Sequence, residues 1–576
     1  MYTTQSRTIQ ALPQDMAAGR TTTWLRECVR SRDVQSLLLL LFAVSLLFLT
    51  APRSGNFWFP DAPRHAMDGA FIRDLIVSFP ITHFQQWAMN YYLHYPASGI
   101  LYYPPLFALV EGIFFLVFGV SQFSAQLTVA VFYMIAGAGA YAIARLWADR
   151  MQAFVVCLLF VGAHGIALWG RQVMLEIPTA AFVLWSSYFL LLYLKTTGAR
   201  YLSVAAILLT AALYTKQTAV FMPVAFLIAV YAVKRDGIFR DSHLRFAALL
   251  VLLLTLPLVL LTLRFGTRHF VEVTGGSAAN YANIRLHLAS WLFYARALPR
   301  QVGWPIVALA CIYPILSLAS HNWGMPKYVA GLLSSWFIVG YLFFSALSVH
   351  DPRHLSLILF PLVAFAGSTV FRLLPFRASR YAVLAGAIAL FGHTLLSDPV
   401  PRIEGYREAA DYVGSHARKG SVILFSGSGW GGGAFIFNLR ARYESKNLVV
   451  LRSDRVLYHY TWIRGRKSDE VDVTQRQIAD MLDSYGVSYI VSRPDYWNDR
   501  PNMQRLHAIT QTPQFKKVAD LAVTTNGGNA EDPGRRLEVY ENLKPVPNRS
   551  PTLRLIIPDL SLTIVGPLEP AATSTP

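Results

Sequence analysis

The feature that most constrains how this chain can fold is a series of apolar runs that recurs through its first two thirds. They occupy 35–50, 122–147, 152–168, 178–194, 201–214, 218–233, 246–263, 302–320, 328–347, 355–371 and 381–396. A helix rises about 1.5 Å per residue, so roughly 20 apolar residues cross the hydrocarbon core, and these runs approach or reach that length. With 54% hydrophobic and only 15% charged residues, and a mean hydropathy of +0.38, the chain is too apolar for a soluble globule. A polytopic membrane protein is expected.

The formal net charge of +18 does not point to nucleic acid, because Lys and Arg sit mainly in short segments between apolar runs and no basic-aromatic groove module accompanies them. Anionic lipid headgroups are the expected partners of that charge. Of the three cysteines, Cys28 precedes the first run, while Cys157 and Cys311 lie inside runs, so neither a disulfide framework nor a cysteine metal site is readable. Arg20, Arg26, Arg30 and Arg32 precede the run 35–50, and no small-x-small cleavage site follows it. It is expected to remain as a first transmembrane helix with a cytoplasmic basic flank.

One further apolar stretch, 100–120, decides the topology. If it crosses the membrane, then Arg145/Arg150, Lys195/Arg200 and Lys234/Arg235/Arg240 all fall outside, against the positive-inside rule. If it stays at the outer surface they all fall inside, together with Lys327 and Arg372/Arg377/Arg380. Pro104-Pro105 at its start and Glu111 in its middle favour a surface helix. The expectation is an α-helical polytopic protein with about eleven transmembrane helices plus outer surface helices and a C-terminal extracytoplasmic α/β domain.

The corresponding domains are a cytoplasmic segment 1–33, a transmembrane domain 34–396 that includes a first outer loop 51–121, an α/β domain 397–565 and a disordered tail 566–576. In the third of these, helix-like 406–416 and 474–485 alternate with strand-like 421–425, 448–451, 487–491 and 537–540. Gly427-x-Gly429-x-x-Gly432 matches the dinucleotide fingerprint by spacing, but Arg452 stands near the end of the next strand where an acid is needed. A turn facing the membrane cavity is the better reading.

On this topology each outer connection carries ionisable residues. Asp61, Arg64, His65 and Asp68 cluster just past the first run; Arg171 and Glu176 precede the run 178–194; Lys216 sits between two runs; Arg353-His354 opens another. Charged groups held at a membrane edge are costly and suggest function. Asp61, two residues before Pro63, fits either a helix cap or a general base for an acceptor hydroxyl. Glu176 fits either a first-turn acid or a cavity acid. Lys216 and Arg353 lie where neither the charge rule nor the helix dipole favours them, which suits either lipid headgroups or a bound phosphate.

Taken in order, Pro60-Asp61-Ala-Pro-Arg64-His65, Tyr103-Pro104-Pro105-Leu106, Met174-Leu-Glu176-Ile-Pro178, Thr215-Lys216 and Pro352-Arg353-His354-Leu355 resemble the polytopic GT-C glycosyltransferases, above all the protein O-mannosyltransferase and lipid A aminoarabinose transferase group. The resemblance covers roughly 34–396. It implies a transferase, hexosyl or pentosyl, that moves a sugar with inversion from a polyprenyl-phosphate donor to a hydroxyl or phosphate acceptor on the outer face of a bacterial inner membrane, with the C-terminal domain periplasmic or extracellular. Transport or flipping of lipid-linked saccharides is the alternative.

Carried onto matching positions, the resemblance makes Asp61 and Glu176 the catalytic acids and Arg64, His65, Asp68, Tyr103, Arg171, Lys216, Arg353 and His354 the substrate-binding set. Two positions depart from the family: Ala62 replaces a second acid, and Tyr103 replaces a Lys. Arg64, Arg171 or an arginine of the 264–300 loop are candidates for the lost cation. The lipid-linked sugar is the donor substrate, and no cofactor is assigned. A divalent metal, used by some relatives, has candidate ligands in Asp61, His65, Asp68 and Glu176.

Overall fold

The computed structural model describes residues 32–238, 240–267, 287–319, 324–461, 468–527, 535–546 and 552–568. The cytoplasmic segment expected at 1–33, including Cys28, lies outside these except for its last two residues, as do Arg268 and Arg285 of the 264–300 loop. Seven helices among the described residues are long and apolar enough to cross a membrane: Arg32–Leu49, Gln122–Ala144, Glu176–Thr196, Gln217–Lys234, Ser242–Gly266, Lys327–Ala346 and Arg377–Ser397. Two bent helix pairs, each a broken span or a re-entrant loop, pass the same test together: Arg150–Val161 with His164–Gly170 (64°) and Leu288–Val302 with Trp304–Ala319 (119°). With the shorter apolar helices Ala199–Thr215 and Leu359–Leu373, these account for each expected run.

The run 152–168, expected as one helix, is broken near Gly162. A break strands backbone carbonyls, and burial would make that costly. Here the hydroxyls of Tyr133 and Thr394 donate to the carbonyls of Val161 and Gly162, so neighbouring helices satisfy what the break exposes.

Contacts at the two ends of the bundle show how the stretch 100–120 behaves. At one end, Asp33 at the start of the first helix accepts from Arg145 Nε at 2.9 Å, just past the end of Gln122–Ala144. At the other, Gln122 Oε1 accepts from the backbone N–H groups of Gly55 and Asn56. The chain therefore leaves the first helix and enters Gln122–Ala144 at the same end. The intervening Leu106–Phe118 has 13 residues, about 20 Å of helix, too short for the roughly 30 Å hydrocarbon core. Arg380 pairs with Asp149 at the Arg145 end, and Asp398, past the other terminus of Arg377–Ser397, meets His164. The C-terminal domain thus begins at the Gln122 end.

That domain contains β1 (Ile403–Glu404), β2 (Val422–Ser426), β3 (Val449–Arg452), β4 (Tyr458–His459), β5 (Asp469–Glu470), β6 (Val487–Ser492), β7 (Phe515–Thr525), β8 (Arg535–Asn542), β9 (Thr552–Ile557) and β10 (Leu562–Pro567). Six form one sheet in the order β1-β7-β8-β6-β2-β3. The β6-β2-β3 side is parallel, and β2 and β3 are buried throughout, as helix-covered parallel strands are. β1, β7 and β8 add antiparallel pairs. Helices start where the sequence supplies caps: Thr474 and Gln477 form a capping box before Gln475–Ser484, and Glu408 reaches back to the N–H of Gly405 before Tyr406–His416.

The hairpin β9–β10 corrects the expected disordered tail, because Gly566 and Pro567 pair with Leu553 and Thr552. Residues 569–576 lie outside the described set. This domain and the first loop pack as one unit. Leu93 of the surface helix Phe84–His94 shares a core with Leu553, Leu555 and Ile564. Arg440 grips Asp74 of the helix Ala62–Ser78 with Nη2–O distances of 2.7 and 2.6 Å. Gly55, at φ 80°, lies so close to the Asn438 amide that a side chain there would collide with it, and its carbonyl accepts from Asn438 Nδ2 at 2.8 Å.

Candidate active site

Asp61 stands at the N-cap of Ala62–Ser78, but its carboxylate makes no capping hydrogen bond. Pro63, whose ring fixes φ near the helical value, opens the helix instead. The carboxylate turns to Arg353, accepting from Nη1 at 2.9 Å, with Arg64 Nη1 at 3.6 Å on the other oxygen. The capping alternative therefore fails.

Arg353 is fixed from several sides. Asp351 caps its short 3-10 turn, Pro352–Leu357, by accepting from the Arg353 N–H at 2.9 Å. The guanidinium lies 4.8 Å above the Phe59 ring, with Nε 3.3 Å from Asp351 and 3.7 Å from Glu176. Glu176, wholly buried at the start of Glu176–Thr196, pairs with Lys216, which ends Ala199–Thr215. Four separate segments thus bring Asp61, Arg353, Glu176 and Lys216 into a line of alternating charge.

One polar atom in this line, Glu176 Oε2, is buried and makes no hydrogen bond, while Arg353 Nε faces the carboxylates of Asp351 and Glu176. Native proteins rarely leave such an atom unsatisfied, so it marks a place where a polar ligand can bind. Burial alone would favour a neutral Asp61, but Arg353 and Arg64 outweigh it and hold its carboxyl well below the usual range. It is ionised at neutral pH.

Other expected residues flank the line. The His65 ring meets Tyr103 edge-on at 4.5 Å, and burial pushes its imidazole down to about 4, so it is neutral. Asp68 accepts from Ser98 Oγ and Gly99 N–H, both at 2.6 Å, and burial pushes its carboxyl up to about 7. Arg64 and Tyr103 line a cavity of about 520 Å3 that reaches the C-terminal domain.

Two expected contacts are not part of the line. Arg171 is buried with Nε on the Ala167 carbonyl at 2.9 Å and Nη1 on Thr50 Oγ1 at 3.2 Å, so it ties the first helix to the broken span. His354 stacks on Phe344 at 5.1 Å and meets the Tyr294 hydroxyl at 3.0 Å, which fixes the turn that carries Arg353. The glycine motif precedes and opens the helix Gly429–Arg442, where Ser428 caps Gly431 and Gly433 lies against Pro63. Gly433, one residue past the motif, is the glycine that seats the C-terminal domain on the Asp61 helix, whereas Gly429 and Gly432 face Arg452.

The carboxylates do not form a metal cage. Arg353 lies between Asp61 and Glu176, Asp68 is engaged by Ser98 and Gly99, and among the described residues no three His, Cys, Asp or Glu side chains are grouped to hold an ion. The donor set does not fit a divalent cation. Sequence reasoning missed the roles of Asp351 and Phe59 around Arg353, and of Arg452 and Arg455 on the cavity. Their only signal was a basic residue, Arg452, where a nucleotide site would need an acid.

Residues 103–261 match the family described as dolichyl-phosphate-mannose-protein mannosyltransferase. No curated protein matches the sequence. The crystal structure of ArnT from Cupriavidus metallidurans bound to undecaprenyl phosphate is similar at a TM-score of 0.56 and 16% identity, covering 88% of this chain and 98% of that one. The apo state of the same protein is similar at 0.56 and 16%, covering 87% and 97%. At this identity the likeness speaks for architecture, and that architecture is the GT-C fold, a polytopic helical bundle with a C-terminal sheet domain, which the sequence resemblance implies.

Proposed function

We propose that this membrane protein is a glycosyltransferase that moves a sugar from a polyprenyl-phosphate-linked donor to a hydroxyl or phosphate acceptor at the outer face of a bacterial inner membrane. The observation that carries this reading is the line Asp61–Arg353–Glu176–Lys216 at the bundle end where the C-terminal domain sits. The undecaprenyl phosphate in the similar ArnT structure supports the choice of donor.

In this reading Asp61 takes the proton from the acceptor hydroxyl. The acceptor oxygen attacks the anomeric carbon from the face opposite the phosphate, the carbon–phosphate-oxygen bond breaks, and polyprenyl phosphate departs with the configuration inverted. Arg353 and Lys216 stabilise the charge that grows on the leaving phosphate. A carboxylate held between Arg353 and Arg64 is a weak base, so the donor phosphate has a second task. By drawing Arg353 toward itself, it frees Asp61 and raises its basicity.

The test is transfer of label by purified full-length protein from a polyprenyl-phosphate sugar pool to acceptor-bearing membranes, with release of polyprenyl phosphate. Movement of the intact donor between vesicle leaflets without transfer would overturn the proposal in favour of a flippase.

A further inference from the structure

A run of exposed apolar residues in the first loop takes no part in the site. Past Asp74 the helix Ala62–Ser78 ends, and the chain turns into Phe84–His94 through a 3-10 turn, Ile81–His83. Ile76, Val77, Phe79, Ile81 and Phe84 are all exposed, Phe79 and Ile81 at 70% and 69%. No Asp, Glu, Lys or Arg stands between 76 and 84. Among the described residues of 397–568, by contrast, the large apolar side chains left exposed are Trp430, Leu543 and Val565, far apart in the sequence. Apolar residues exposed together in one place mark a contact surface.

The backbone at the tip carries the same message. Phe79 closes the helix at φ 43°, with its N–H on the Leu75 carbonyl at 2.9 Å. Gly is the usual residue at such a left-handed cap, because a side chain there is strained. A bulky, exposed Phe at this position needs surroundings that favour an apolar ring.

The neighbours of the turn identify those surroundings as lipid. Phe84 lines the same cavity as Phe265, which lies at the end of the span Ser242–Gly266, and only 11% of that span is buried within the protein. Next to the turn, Ala62–Ser78 packs on the surface helix Leu106–Phe118, where Ile72 lies against Gly112. Leu109, Ile113, Leu116 and Val117 of that surface helix fall on one face by their spacing, and all four are exposed. A lipid-facing span and an apolar helix face thus flank the turn. Just before it, Arg73 and Asp74 tie the same helix to Glu444 and Arg440 of the C-terminal domain.

We infer that the turn 76–84 is a wedge inserted among the acyl chains of the leaflet at the Asp61 end of the bundle. Its partner is the apolar layer of the lipid surface, since the turn carries no cation or anion to engage headgroups. Asp61 and the wedge stand at opposite ends of one helix of 17 residues, about 25 Å long, so insertion ties the depth of the acid to the bilayer. The wedge stands whether or not the protein transfers sugar.

Spin labels at Ile81→Cys and Val77→Cys test it in full-length protein carrying Cys28→Ser and Cys311→Ser, reconstituted in nanodiscs of phosphatidylethanolamine and phosphatidylglycerol. Cys157 is buried and stays unlabelled. Collision of each label with oxygen, which concentrates in lipid, is compared with collision with a water-soluble nickel chelate. A label at Gln475→Cys, exposed on the C-terminal domain, gives the aqueous reference. Oxygen-to-nickel collision ratios severalfold above that reference are expected at both positions, with thermal unfolding as in wild type. Nickel accessibility equal to that at Gln475 would overturn the wedge in favour of an aqueous loop. Protection from both reagents would overturn it in favour of a protein contact, such as a second copy of the chain.

Discussion

Asp61 and Arg353, 292 residues apart in the chain, share a 2.9 Å hydrogen bond, and the two residues belong to loops that sequence order alone does not join. The pair links the start of a surface helix to the turn before a late span. It also places the acid of one loop under the control of the cation of another.

Arg353 neutralises two buried or nearly buried carboxylates at once, so removing it should harm both stability and activity. Arg353→Gln leaves Asp61 and Glu176 with one fewer cation, and breaking such buried pairs costs about 3–5 kcal/mol. A lower Tm together with lost transfer is expected. Arg353→Lys should recover part of the Tm but little transfer, because an ammonium cannot reproduce the planar fork that faces both acids.

The Asp74–Arg440 pair should hold the C-terminal domain on the first loop. Arg440 is 4% exposed, so Arg440→Gln or Asp74→Asn should each destabilise by about 3–5 kcal/mol and open the 397–460 region to protease. In the double variant the losses should fall well short of additive, as expected for residues in direct contact. Additive losses would mean the pair contributes no coupling.

Asp68 should give stability a pH dependence of definite sign. Its carboxyl has an ordinary value of 3.8 and is pushed up to about 7 in the fold, so between these values the folded protein binds more protons than the unfolded one. Stability then falls as pH rises from about 4 to about 7. Asp68→Asn keeps an oxygen for Ser98 and Gly99, so the variant should match wild type near pH 4 and exceed its Tm at pH 8. A constant Tm difference across that range would contradict the assignment.

How much could be read beforehand differs between residues for physical reasons. The position of Leu106–Phe118 at one end of the bundle followed from where the arginines fall, because lipid imposes a charge asymmetry that no soluble core does. The helix 474–485 was legible from its helix-like pattern between strands, and the structure adds the capping box of Thr474 and Gln477 at its start. β7 was not, because Lys516, Lys517 and Asp520 interrupt its alternation and much of the strand is exposed. In the site, Asp61, Glu176, Lys216 and Arg353 were visible as charges at membrane edges. Arg171 looked equivalent to them, yet it ties the end of the broken span to the first helix instead, since sequence shows that a charge is present but not what it faces. Arg452 was visible only as the wrong residue for a nucleotide site; its approach to Arg64 depends on how the C-terminal domain sits on the first loop.

The most direct measurement is the rate of sugar transfer by Asp61→Asn in purified protein, beside its affinity for polyprenyl phosphate. The substitution keeps the shape of the side chain and removes the base, so transfer should fall by about 10²–10⁴ while the lipid still binds and the protein stays folded. Transfer at the wild-type rate by a folded Asp61→Asn variant would contradict the account at its centre.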